Sequence, residues 1–243
     1  MLDKQSLKPK SRNEINEVII SFFKSLIKKG KVFDAPGGHG YLASKIKSLG
    51  FNVTCGEIEP SIFNAEGIKC IFTDLNKKID CENEYFDYVT CVDGIEHMTD
   101  PYIAVKEFSR VLKPGGYAVF SIPNYSNIAK RIKYFFKGYL EKPKRIEDYI
   151  NAGENLYNFH NSPLNITLLN FIFSINGFKI EKILRDKFKF KQFIFFFPIV
   201  LILKIIAMLS PKKYYKKYGY DLTLKNEVIL GGNTLIFILK KIN

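Results

Sequence analysis

With 243 residues, 47% of them hydrophobic and 25% charged, the chain is long enough for one α/β domain with a full core and short for two. The four cysteines, Cys55, Cys70, Cys81 and Cys91, have no C-x-x-C spacing and lie mostly in or beside apolar runs. That argues against a metal site or a disulfide framework and for buried free thiols in a reducing, cytoplasmic setting. The net charge of +13 leaves two readings open, a compositional bias toward lysine or an anionic partner such as nucleic acid or a membrane surface.

Residues 1–12 are short, polar and basic and carry no apolar signal segment. Ile15, Val18, Ile19, Phe22, Phe23 and Leu26 then fall at helical spacing and Gly30 stops the run, so an amphipathic helix is expected over 12–29. Strands read at 31–35, 51–57, 68–72, 85–92, 116–122, 177–184 and 234–240, with helices between them, among others at 40–49, 101–112 and 164–176. Asp100 and Pro101 suit the start of the 101–112 helix as N-cap and first-turn proline. Alternating strand and helix predict a mostly parallel sheet with right-handed crossovers and a ligand crevice at the carboxyl ends of its strands.

The first strand ends in Asp34 and runs through Ala35-Pro36-Gly37-Gly38-His39-Gly40 into a helix. Glycines there let the backbone approach a ligand, and the free N–H groups of a helix start can hydrogen-bond it. One strand–helix unit later, Val53-Thr54-Cys55-Gly56-Glu57 ends in a carboxylate. After it come Asp74-Leu75, Val92-Asp93-Gly94-Ile95-Glu96-His97, the turn Leu112-Lys113-Pro114-Gly115-Gly116 and His160-Asn161-Ser162-Pro163. In this order and spacing the chain resembles the class I S-adenosylmethionine-dependent methyltransferases over roughly residues 30–185. Within them it is similar to a bacterial group with a Pro-Gly-Gly loop and Gly-Ile-Glu-His and His-Asn-x-Pro segments. The resemblance implies a Rossmann-like seven-stranded sheet with helices on both faces and the last strand antiparallel, and S-adenosylmethionine as cofactor.

On that resemblance Asp34, Gly38 and Gly40 belong to the cofactor loop, with Pro36 where the family usually has its first glycine. Glu57 is placed to accept hydrogen bonds from ribose hydroxyls, Glu59 being the alternative if the strand continues. Asp74 resembles the position that accepts from the adenine amino group, its alternative role being a turn or helix cap. Asp93 stands near the methionine portion, or only shapes an Asp-Gly turn. Methyl transfer to a hydroxyl needs alignment, exclusion of water and removal of a proton. Of the three histidines, His39 lies in the cofactor loop, while His97 and His160 are the candidate bases, expected at opposite sides of the mouth. Asn124 and Tyr125, just after the fifth strand, are candidate acceptor-pocket residues, and no metal site is expected.

Two stretches exceed what the sheet requires in an otherwise single domain over 1–243. Residues 125–163, with Lys130, Arg131, Lys133, Lys137, Lys142, Lys144 and Arg145, leave the carboxyl end of a strand and are expected over the active-site mouth. Residues 185–233 hold an almost wholly apolar run over 193–209. Its length is marginal for a span, Pro198 and Lys204 interrupt it, and one crossing would leave strands of the same sheet on opposite sides of the bilayer. Burial against the domain or a partner and contact with an anionic membrane surface both remain open. Lys187, Lys189 and Lys191 before the run, and Lys212, Lys213, Lys216 and Lys217 with tyrosines after it, are the flanking that favours the membrane interface.

Ile122-Pro123-Asn124-Tyr125 has the wrong order for an adenine amino-methyltransferase motif, no Pro-Cys pair suggests cytosine C5 chemistry, and Gly-Lys-Ser/Thr is missing from the loop. The expected function is methyl transfer from S-adenosylmethionine to oxygen of a small or carbohydrate-like acceptor in surface polysaccharide or lipid-linked glycan synthesis, where an anionic acceptor would suit the basic charge. RNA or protein methylation is the alternative, although there is no clear nucleic-acid module. A cofactor-binding scaffold without transferase activity is the third reading.

Overall fold

The computed structural model describes residues 11–153 and 155–242. Helix α1 (Asn13–Ser25) buries Ile15, Ile19 and Phe23 as one stripe, as the periodicity requires. It ends at Ser25, short of the expected 29, because Leu26 turns extended with ψ 126°. The Tyr88 hydroxyl then donates to the Lys28 carbonyl at 2.9 Å, holding the descent into β1 (Lys31–Asp34).

The chain continues through α2 (Tyr41–Ser48), β2 (Asn52–Glu57), β3 (Lys69–Phe72), β4 (Phe86–Val92), α3 (Pro101–Val111) and β5 (Leu112–Pro123). Helices α4 (Ile128–Lys137), α5 (Ile146–Asn151) and α6 (Ile166–Ile175) precede β6 (Phe178–Arg185). Then α7 (Phe190–Leu209), α8 (Lys212–Lys217), α9 (Tyr220–Thr223) and α10 (Asn226–Ile229) lead to β7 (Thr234–Lys241). The Asp100 carboxylate accepts from the Tyr102 and Ile103 N–H groups at 2.9 and 3.3 Å, capping α3 as its Asp-Pro start predicts. The Lys-Pro-Gly-Gly segment is not a separate turn. It forms the first residues of β5, accommodated by a register shift opposite Phe86 and Tyr88.

Seven strands form one sheet in the order β3-β2-β1-β4-β5-β7-β6. All neighbours are parallel except β7, which lies antiparallel between β5 and β6. Phe33, Val89, Phe120 and Phe237 face α3 and α6 through Phe108, Ile172 and Phe173, while Val32, Val53 and Ile236 face α1 and α2. Strand order reverses between β1 and β4, and a crevice opens at their carboxyl ends. All four cysteines are free, with Cys55 and Cys91 buried and Cys70 and Cys81 half-buried.

Candidate active site

A cleft of about 460 Å³ lies at this reversal, walled by residues that follow β1, β2, β3 and β4. Of the expected cofactor residues, Asp34, Gly38, Glu57 and Asp93 line it, as do His39 and Glu59. Gly38 has φ 52° and Gly40 φ 88°, both in the left-handed region that glycine enters without a steric penalty. Gly40 sits behind the lining, where a Cβ would stand 2.5 Å from that of Ala65. Its role is close packing of the loop on the β2–β3 connection. Pro36 has a similar effect on the other side: a Cβ on Gly94 would meet the Pro36 Cδ at 2.6 Å.

The Glu57 carboxylate, buried at the end of β2, accepts from the Gly38 N–H at 2.7 Å and the Ile58 N–H at 3.0 Å. A carboxylate offers about four lone-pair sites, so two remain for donors in the cleft. Strand β2 stops at Glu57. Glu59 therefore does not continue its face, and the Ser61 hydroxyl donates to it at 3.4 Å.

Asp34 is almost fully buried and accepts from the Thr90 hydroxyl at 2.5 Å. Burial pushes its carboxyl up to about 7 against the opposing hydrogen bond, with the nearby Glu57 charge adding to the rise. Asp93 has φ 48° and exchanges hydrogen bonds with Ser121, its N–H reaching Oγ at 2.9 Å and Ser121 Oγ donating to Oδ1 at 2.7 Å. Burial also raises its pKa, opposed by Ser121. Asp74 is outside the lining, between Thr73 and Leu75, which are in it. Its Oδ1 accepts from the Asn76 N–H at 3.0 Å and the Tyr157 hydroxyl at 2.9 Å, and Lys77 stands 3.3 Å from Oδ2. These partners outweigh desolvation and hold its carboxyl below the usual range. Asp74 thus makes the turn contacts of its alternative role, and Tyr157, which donates to it, lines the cleft.

The two candidate bases are not on opposite sides of the mouth. The His97 and His160 rings meet edge to face with centroids 4.8 Å apart. Asn161 causes this: its N–H donates to the Glu96 carbonyl at 2.8 Å and its side-chain amide to the His97 carbonyl at 2.8 Å, clamping the two histidine segments together. His97 lines the cleft, and its Nδ1 donates to the Phe159 carbonyl at 3.1 Å, leaving Nε2 with the lone pair of the neutral ring. Burial and the neighbouring His160 lower its pKa, against the pull of the Phe159 and Tyr157 carbonyls and Asp93.

Tyr125 and Asn124 are behind this pair. Burial, with the nearby Glu141 charge, raises the phenol pKa of Tyr125. The Tyr125 hydroxyl lies 3.1 Å from His160 Nδ1, so Tyr125 fixes the orientation of the His160 ring. Asn124 is 1% exposed, donates to the Val228 carbonyl at 2.9 Å and accepts from the Ser126 N–H at 3.1 Å. It ties the end of β5 to α10 and does not reach the cleft. Arg131 is structural too, donating to the carbonyls of Ser126 at 2.7 Å and Thr223 at 2.5 Å.

Glu96, His97 and His160 bring donor atoms within 4.8 Å of one another, a cluster that sequence reading did not foresee. Glu96 is fully buried with Oε2 unpartnered, and desolvation followed by the Asp93 charge raises its pKa well above the usual range. Its surroundings therefore favour the protonated form of the carboxyl. Asn16, Met98, Asn155, Tyr157 and Asn158 also line the cleft without having been anticipated. Only the placement of 125–163 after β5 hinted at the last three.

The site suits the expected cofactor on its own observations: a positive-φ glycine turn with a buried carboxylate across it and acidic groups deeper in the cleft. The chain matches the family model described as "Methyltransferase domain" over residues 10–183. It is 30% identical over 105 residues to the ubiquinone biosynthesis O-methyltransferase of Colwellia psychrerythraea, covering 40% of this chain and 43% of that one. Against the protein of the same name from Hydrogenovibrio crunogenus it is 27% identical over 123 residues, covering 46% and 51%. The chain thus spans about half the length of these curated relatives. A methyltransferase structure from Archaeoglobus fulgidus superposes with a TM-score of 0.59 at 16% identity over 95% of both chains. Phosphoethanolamine N-methyltransferase 2 of Haemonchus contortus, solved with S-adenosyl-L-methionine, gives 0.55 at 16% identity over 94% of this chain and 52% of that one. Family match, sheet order and cleft together establish that this chain belongs to the class I S-adenosylmethionine-dependent methyltransferases.

Proposed function

We propose that the chain methylates a hydroxyl oxygen of a small, carbohydrate-like or lipid-linked acceptor, with His97 or His160 taking the proton. The observation that supports this reading is the pair of histidine rings 4.8 Å apart, His97 lining the cleft with Nδ1 bonded to the Phe159 carbonyl and His160 beside it with Nδ1 3.1 Å from the Tyr125 hydroxyl. Bound S-adenosylmethionine supplies an electrophilic methyl on a sulfonium. Gly38 and Glu57 hold the cofactor, with Asp34 and Asp93 lining the same cleft. As the methyl passes to the acceptor oxygen its bond to sulfur would break to leave a neutral thioether, and the proton of the acceptor O–H would pass to a ring nitrogen of the histidine. Depressed basicity keeps His97 neutral near pH 7, the form such a step needs.

The relatives, ubiquinone biosynthesis O-methyltransferases by name, favour oxygen and keep a phenolic acceptor as a second reading. Incubating the chain with methyl-labelled S-adenosylmethionine and parallel panels of glycan and phenol acceptors, read by mass spectrometry, tests the proposal. Label on oxygen of a glycan supports it. Label on phenols alone selects the second reading, and label on nitrogen alone refutes O-methylation.

A further inference from the structure

We propose that α7 and the groove beside it form a docking surface for an anionic lipid bilayer. The helix has 20 residues and only Val200 is buried. Phe193, Phe196, Val200 and Leu203 pack against Ile128, Ile132, Ile229 and Leu230, which accounts for one side of the helix. The other sides are as apolar and are bare: Phe195 is 75% exposed, Ile202 56% and Leu209 82%. Helix α4, packed along α7, adds Phe135 and Phe136, 81% and 77% exposed. A surface of this kind on a protein in water marks a place that something apolar covers.

The charges identify the occupant. From Lys187 to Lys217 there is no acidic residue, and lysines stand at both ends of the apolar helix. A groove of about 370 Å³ runs beside α7, with apolar walls from Phe188, Phe193, Phe197 and Leu201 and with the cations Arg185 and Lys204 at its side. The Lys204 ammonium donates to the neutral Asn226 amide at 2.7 Å and makes no ion pair among the described residues. An apolar helix flanked along the chain by lysines, with no acidic residue from 187 to 217, complements acyl chains beneath anionic headgroups. A second copy fits poorly, since either alignment of two such helices sets lysines against lysines. Crossing is opposed by the sheet: β6 and β7, which flank this segment in the chain, pair with each other. A return crossing would need about 20 further apolar residues, whereas residues 210–233 contain Lys212, Lys213 and Lys217, Asp221 and Glu227.

Flotation of the full chain with vesicles of phosphatidylcholine, with and without phosphatidylglycerol, tests the proposal without calling on methyl transfer. Binding is expected to the anionic vesicles at low salt and to be released by high salt. Combining Lys212→Gln, Lys213→Gln and Lys217→Gln should weaken it about a hundredfold, at about 1 kcal/mol per basic residue. Ile202→Gln with Ile206→Gln, at two positions already 56% and 52% exposed, should weaken it while leaving cooperative melting intact. Failure to float with anionic vesicles at low salt overturns the proposal, as does equal binding to both vesicle types. So does resistance to alkaline extraction, which would mean a span, or a stable dimer that loses association when Ile202 and Ile206 are replaced.

Discussion

Glu57→Ala is the perturbation that most directly tests the cofactor site. In the protein, Glu57 accepts two backbone N–H groups at 2.7 and 3.0 Å, and its free lone pairs face the cleft where a ribose diol would donate twice. A hydrogen bond to a charged group contributes about 1.5–3 kcal/mol, so two amount to about 3–6 kcal/mol. Water entering the truncated site restores part of this, which leaves an expected affinity loss of about a hundredfold or more. The Gly38 and Ile58 N–H groups also lose their acceptor. Because the cleft is open to solvent, the melting temperature should fall by only a few degrees, on the order of 2–4 °C per kcal/mol for a chain of this size. Calorimetric titration with S-adenosylhomocysteine, beside a Glu59→Ala control, measures the effect. If Glu57→Ala binds as wild type while Glu59→Ala does not, the reasoning is refuted and the ribose role passes to Glu59.

Asp34, raised to about 7 by burial from its ordinary 3.8, holds its proton more tightly folded than unfolded. Its contribution is full below pH 3.8 and is lost as pH rises through 7, on the order of 4 kcal/mol in all. Asp34→Asn should therefore flatten the stability profile between about pH 4 and 7 in urea melts, and an unchanged slope would count against it. Replacing the histidine that serves as base with Ala should lower kcat about 10²–10⁴-fold with little change in cofactor affinity; near-normal turnover in both single variants would leave alignment as the mechanism. If His97 is that base, the acidic limb of the kcat/KM profile should lie below 6.5, the ordinary histidine value. Tyr125→Phe removes the hydroxyl 3.1 Å from His160 Nδ1 and should reduce kcat more than it changes KM if His160 is the base. Gly40→Ala, at φ 88° and 2.5 Å from Ala65, should cost about 1–3 kcal/mol in thermal or urea melts, and an unshifted midpoint would show that the loop relaxes.

The strands, the Asp100 cap and the glycine turn were legible in the sequence because each depends on local chemistry. Side-chain alternation, an Asp-Pro start and a left-handed backbone position act within a few residues. Glu57 was legible for the same reason: it ends a strand whose parallel neighbour carries the loop. Contacts between distant segments were not legible. His97 and His160 meet because Asn161 clamps one to the other across 64 residues. The partners of Asp74, for which the resemblance implied adenine and local chemistry a turn, and of Asn124, expected in the acceptor pocket, include Tyr157 and Val228, 83 and 104 residues away. The apolar run after β6 was equally visible in the sequence, but periodicity alone cannot tell a helix buried on all sides from one packed along a single stripe. Only the tertiary structure decided that α7 keeps Val200 inside and leaves most of its surface uncovered.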